Sequence, residues 1–214
     1  MDSKKNKPLF GEKGLKVIEV INNVADLIVL SLLWLLFSLP VVTIGLATAA
    51  VYHTVVQVIC NGKGTLWTTF IRSIRENLRH AIPIQIGIYI LYGILALECY
   101  LSYTDTRGIL IVPLICGIFL MSVLKALELY LYPLLGHYVL TVGQLFVMTL
   151  QVVILHIARS LILLVAWLIG VAAVVSYPPL IMIIPGAFTM LSYKICTPVF
   201  EKYIRVESET VPQE

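Results

Sequence analysis

An all-α polytopic membrane bundle, of about five to six membrane helices, is the fold class this sequence predicts. Three observations carry that prediction. Hydrophobic residues make up 59% of the chain and charged residues only 13%, whereas about a quarter of a soluble domain is charged. Mean hydropathy is accordingly high, at +0.95. The charges gather in a few stretches and leave long uncharged runs, the first from Leu27 to Cys60. That run is itself broken by Pro40 and Gly45, within Ser38-Leu39-Pro40-Val41-Val42-Thr43-Ile44-Gly45. Proline removes a backbone donor and clashes with the preceding turn, so a helix stops or kinks there. The pattern predicts a helix, a sharp break at membrane depth and a shorter helix returning. Such irregular backbone survives only where protein or a cavity covers it. With 214 residues, there is one integral domain and no room for a separate soluble one.

Residues 1–19 form a basic N-terminus with Lys4, Lys5, Lys7, Lys13 and Lys16, which places this end in the cytoplasm by the positive-inside rule. Lysines before an apolar run, with Ala47-Thr48-Ala49 further on, mimic a cleaved signal. The run continues past that triplet, so a retained anchor is the better reading. Residues 20–60 form the hairpin. Its first span covers about Val20–Leu39, and Leu46–Cys60 is a short apolar piece that spans, re-enters or lies at the interface. Pro40, Thr43 and Gly45 set the break. Ala47, Ala49 and Ala50 let another helix approach closely.

After the turn Asn61-Gly62-Lys63-Gly64, residues 65–80 predict an amphipathic interfacial helix. Trp67, Phe70, Ile71, Ile74 and Leu78 recur at helical spacing, with Arg72, Arg75 and Arg79 along one edge. That edge is read as a lipid contact or a partner contact. Residues 81–200 hold the remaining membrane helices. One covers about Ala81–Tyr103, with Pro83 in its first turn, where proline is tolerated. The next, about Ile109–Leu135, carries Lys125 and Glu128, spaced to pair and placed near its cytoplasmic end. Tyr132-Pro133-Leu134-Leu135 is expected to end it.

Gly136–Ile157 either spans or lies at the interface. His137, Thr141, Gln144, Met148 and Gln151 fall on one stripe there, expected to be a hydrogen-bonded seam rather than a solute path. Thr65, Phe70 and His80 share their spacing with Thr141, Phe146 and His156, a faint echo of an internal repeat. Spans over about Arg159–Ser176 and Pro179–Pro198 follow. Lys194, Lys202 and Arg205 put the C-terminus, with its tail 201–214, inside.

Chemistry-bearing motifs are sparse. The sequence holds no Walker A, HExxH or GxSxG pattern. Asp26, Glu98 and Glu128 are each isolated from other carboxylates, and the four histidines lack metal-ligand spacing. Cys60, Cys99, Cys116 and Cys196 lie far apart and read as packing residues. No cofactor, metal or catalytic residue is assigned. A nucleic-acid partner is not expected, because no basic domain or binding motif is present.

Leu39-Pro40-Val41-Val42-Thr43-Ile44-Gly45 with Ala47-Thr48-Ala49, then Phe70, Arg75, Asn77, Arg79 and Ala81, carry a resemblance. So do Tyr132-Pro133-Leu134-Leu135 and the last span with Pro185 and Gly186. On these residues the chain resembles the YesL-like family of small bacterial integral membrane proteins over nearly its whole length. The resemblance implies a place in the bacterial cytoplasmic membrane beside carbohydrate ABC importer or sensor kinase subunits. It supplies no catalytic residue. The expected function is a non-enzymatic accessory or scaffold component associated with carbohydrate uptake or its sensing. The alternative is a small-solute transporter or channel subunit, and an enzyme is the least supported class.

Overall fold

Pro40 divides the N-terminal part of the chain as its chemistry requires. The first helix, α1 (Glu12–Phe37), ends ahead of it, and a single 3-10 turn (Val41–Thr43) leads into α2 (Ile44–Thr54). α2 continues as a π-helical turn over Val55–Cys60, which closes at Gly62 and Gly64. Their φ angles of +63° and +85° suit residues without a Cβ. Next come α3 (Leu66–Thr104), α4 (Ile111–His137), α5 (Val142–Leu155) and α6 (Ile157–Ser176). A 3-10 segment, Pro178–Met182, precedes α7 over 184–196. This computed structural model describes residues 12–104, 111–137 and 142–196, with side chains from Ile21 onward and as far as Gly136 in α4. Among the described residues every regular element is helical. The side chains of the N-terminal lysines, the loop 105–110, the His137 side chain, Thr141 and the tail from 197 lie outside that description.

Four segments are long and apolar enough to cross a membrane: Val41–Cys60, Leu66–Thr104, Ile111–Gly136 and Ile157–Ser176. Ile21–Phe37 and Val142–Leu155 are shorter apolar helices. The hub is the 41–60 segment, 56% buried where the apolar stretches of α3 and α6 are each 11% buried. Its core residues Leu46, Ala47, Ala49, Ala50, Val51 and Val55 are sealed by α1, α3 and α4. Small side chains make that density of packing possible. Gly45 of α2 lies directly against the Tyr132 ring and the Gln85 amide, and Gly136 of α4 lies against the Ala49 carbonyl. These two contacts run in the same sense, so α2 is parallel to α4. α3 is antiparallel to α4, because Gly117 faces Cys99, Glu128 meets Tyr92 and Tyr132 meets Gln85.

Register along α3 locates the break. The Tyr89 hydroxyl donates to the Val41 carbonyl at 2.7 Å, well inside the apolar part of α3. The Pro40 turn therefore lies level with the apolar part of α3, but no residue of its 3-10 turn is buried and Leu39 and Val41 are 72% and 60% exposed, so the expectation that protein covers the break is corrected. The turn is closed by Thr43, whose hydroxyl lies 2.5 Å from the Phe37 carbonyl and 2.6 Å from the Pro40 carbonyl. The Pro40 carbonyl also accepts the Thr43 N–H at 2.8 Å, and the hydroxyl adds a partner for the carbonyls where the helix is interrupted.

Four other expectations are corrected. The expected interfacial helix over 65–80 is not a separate element, because α3 is unbroken over 39 residues with Pro83 inside it. Charge changes which face a helix exposes but does not end the helix. Phe70, Ser73, Ile74 and Ala81 of this stretch are buried in the bundle, with the Phe70 ring edge-on to Phe37 at 5.3 Å. Pro133 does not end α4, which runs through it to His137. Gly45 makes no turn; it lies in the first turn of α2 and serves close packing. Finally, the expected span 179–198 is divided into the 3-10 segment and α7, because Pro178 and Pro179 delay the helix.

Candidate functional site

Charged groups inside an apolar bundle need partners, and α4 supplies a pair from its own helical spacing. Lys125 and Glu128 are three residues apart, which brings them to one face. The Lys125 ammonium donates to Glu128 Oε2 at 2.7 Å. The same ammonium lies 4.4 Å from the centre of the Trp167 ring on α6, a cation–π contact. The Tyr92 hydroxyl of α3 reaches Glu128 Oε2 at 3.4 Å. Three helices thus converge on one ion pair. Tyr92 lies about midway between Ala81 and Tyr103 on α3, so the expected placement of the pair near a helix end is corrected. Glu128 is 7% exposed, and snorkelling does not account for it.

One turn further along α4, the Tyr132 hydroxyl donates to Gln85 Oε1 beneath Gly45. Gln85 is 1% exposed, and its Nε2 has no hydrogen-bond partner among the described residues. On α1, the Trp34 indole donates to the Thr48 hydroxyl at 3.0 Å, and Thr48 donates to the Ile44 carbonyl at 2.8 Å.

Lys125, Glu128, Tyr132, Trp34 and Thr48 border a cavity of about 290 Å³ between α1, α2, α4, α6 and α7. Lys125, Glu128, Tyr52, Thr48, Thr189 and Ser192 are its polar lining, and Trp34, Trp167 and Phe188 its aromatic walls. Thr189 donates to the Pro185 carbonyl at 2.8 Å. Ser192, on the next turn, is 3% exposed, and its hydroxyl has no partner among the described residues. An apolar pocket with a few converging polar groups is the usual form of a small-molecule site.

The structure distributes the other singled-out residues differently. Pro40, Thr43 and Gly45 lie together at the break. Arg72 is exposed and paired with Glu76 at 2.7 Å, one turn on. Arg75 and Arg79 are exposed beside it, as are Trp67 and Leu78. None of the three arginines borders the cavity. Of the expected seam, Gln144 and Gln151 are exposed while Leu145, Thr149 and Val152 form the buried face of α5, and the His137 and Thr141 side chains lie outside the described residues. Among the described residues of that stripe, Met148 packs partly against the core.

Sequence reasoning missed Tyr92, Gln85, Trp167 and Ser192. Glu76 was findable, since it stands four residues after Arg72 on a helix. The others join the site through packing between distant helices, which spacing within one segment does not reveal. Among the described residues, no group of three or more His, Cys, Asp or Glu is placed to hold a metal.

Residues 27–99 match the family described as "Protein of unknown function, DUF624". That match takes in the C-terminal part of α1, the break, α2 and nearly all of α3. No curated protein and no solved structure matches the chain.

Proposed function

We propose that this chain is a non-enzymatic accessory or scaffold component of a bacterial cytoplasmic membrane assembly. Its setting is carbohydrate uptake or its sensing, and its partners are ABC importer or sensor kinase subunits. The setting rests on the resemblance to YesL-like proteins, which fall within the matched family of unknown function. The observation that supports a docking role is the form of α3. At 39 residues the helix is roughly 58 Å long by the ordinary rise per residue, against a hydrocarbon core of about 30 Å. In this reading the end bearing Arg72, Arg75 and Arg79 lies beyond that core, continuous in one helix with the part that touches Glu128. Arg75 and Arg79, without an ion-pair partner among the described residues, offer charge beside the exposed Trp67 and Leu78, which suits an acidic protein surface. By the positive-inside rule this end and both termini lie, in this reading, on the cytoplasmic side.

The alternative, a small-solute transporter or channel subunit, had the α5 stripe as one of its motives. With Gln144 and Gln151 exposed, that reading keeps the helix break at Pro40 and the faint repeat, together with the cavity at Lys125 and Glu128. Co-expression with importer permease and sensor kinase subunits, followed by purification through this chain, tests the choice. The accessory role predicts a retained partner, whereas solute flux by the chain alone in proteoliposomes would overturn it.

A further inference from the structure

We propose that the cavity between α4, α6 and α7 binds an uncharged, hydroxyl-bearing amphiphile drawn from the surrounding lipid. This goes beyond the accessory role and does not depend on it. Two hydrogen-bonding groups at the cavity are left over by the fold. Glu128 Oε2 takes both the Lys125 and the Tyr92 bonds, so Oε1 has no partner among the described residues. Ser192 Oγ is the second. A serine in an apolar helix ordinarily donates back to the carbonyl four residues earlier, as Thr189 does to Pro185 at 2.8 Å. Ser192 lines the cavity, is 3% exposed, and lacks even that bond among the described residues. Leaving a buried hydroxyl unpaired is unfavourable, and a ligand hydroxyl removes the penalty.

The charge of the guest follows from the ion pair. An anion would draw Lys125 from Glu128, and a cation would draw Glu128 from Lys125. Either exchange strands one buried charge, the arrangement proteins avoid most strongly. A neutral hydroxyl disturbs neither partner. It can donate to Glu128 Oε1 while accepting from Ser192 or from a remaining Lys125 N–H. Beside these groups the wall is apolar, formed by Trp167, Val174, Ile184 and Phe188. Its rim on α6 is formed by Val171 and Val175, 42% and 77% exposed, within a segment apolar enough to span a membrane. An apolar rim at such a helix opens to lipid rather than to water, so the guest arrives as an amphiphile. A volume of about 290 Å³ holds a small head and the start of a chain, the remainder passing out between the valines.

The experiment uses the full chain in nanodiscs with a monoacylglycerol carrying a photoreactive diazirine in its acyl chain. Labelled peptides are mapped by mass spectrometry, with monoolein, oleate and oleylamine as competitors of matched chain length. We expect labelling concentrated on the 167–192 region, displaced by monoolein but not by oleate or oleylamine. Ser192→Ala, which removes no hydrogen bond among the described residues, should raise the monoolein concentration needed for displacement by about three- to tenfold, the equivalent of one hydrogen bond. Val171→Trp, at the exposed rim, should abolish site labelling while leaving thermal unfolding unchanged, which keeps the test decisive if Ser192→Ala alters folding. Labelling spread over the outer faces and indifferent to both variants would mean bulk lipid only and would overturn the proposal. Competition by oleate or oleylamine as strong as that by monoolein would overturn its neutral-head chemistry.

Discussion

Glu128 accepts from Lys125 at 2.7 Å and stands at the level of Tyr92, deep within the apolar length of α3. The two partners are unequal in access: the Lys125 side chain is 22% exposed and the Glu128 side chain 9%. Removing either one leaves the other charge buried. Glu128→Leu is therefore expected to destabilise the bundle by about 2–4 kcal/mol, the lower part of the range for a broken buried pair because Lys125 is partly exposed. Lys125→Met with Glu128→Leu should recover most of that loss. A double-mutant cycle on thermal unfolding in detergent checks this, and additive losses would refute the pairing.

The Gly45 position separates close packing from helix propensity. A side chain there would run into the Tyr132 ring and the Gln85 amide. Gly45→Leu should lower the yield of folded protein and its stability by about 3 kcal/mol or more. Gly87, in α3, faces open space, so Gly87→Ala should be neutral or stabilising by up to about 1 kcal/mol. Fluorescence size-exclusion profiles and melting temperatures distinguish the two. Equal behaviour of the two variants would count against the close-packing role.

Thr43 holds the break by a hydroxyl shared between two carbonyls. Thr43→Val keeps the shape and removes the donor, and should cost about 1–3 kcal/mol. Thr43→Ser, which retains the hydroxyl, should recover most of it. If serine were no better than valine in the same melting assay, the hydroxyl would have no part in closing the turn.

Sidedness is checked by cysteine accessibility after Cys60, Cys99, Cys116 and Cys196 are replaced. Lys63→Cys should react with an impermeant maleimide only after the cells are opened, and Thr104→Cys should react from outside. External labelling at position 63 would sink the predicted orientation.

Much of the helical architecture was legible because its signals are local. Uncharged runs mark the apolar helices, Pro40 marks the break, and Ala47 and Ala50 mark the close contact that α2 makes. The errors share a different origin. Pro83 and Pro133 were read as boundary residues, yet both sit inside helices, because packing on either side holds the helical course through one lost hydrogen bond. The polar residues of α5 were assigned to the packed face, as in a water-soluble core turned inside out. Leu145, Thr149 and Val152 fit α4 better by shape, so Gln144 and Gln151 are left outside. The cavity was invisible to spacing rules, since Glu128, Trp167 and Ser192 come from three helices and meet only in the folded bundle.

The most direct test of the docking role is partner retention by the basic end of α3. The chain, tagged and co-expressed with importer permease and sensor kinase subunits, would be purified beside a variant combining Arg72→Gln, Arg75→Gln and Arg79→Gln. All three side chains are exposed, so the variant should melt with the wild type. The account predicts a partner subunit retained by the wild type and reduced at least about tenfold in the variant, as for an interface losing its charged anchors. Equal retention by both, or no partner together with solute flux by the purified chain alone, would contradict it.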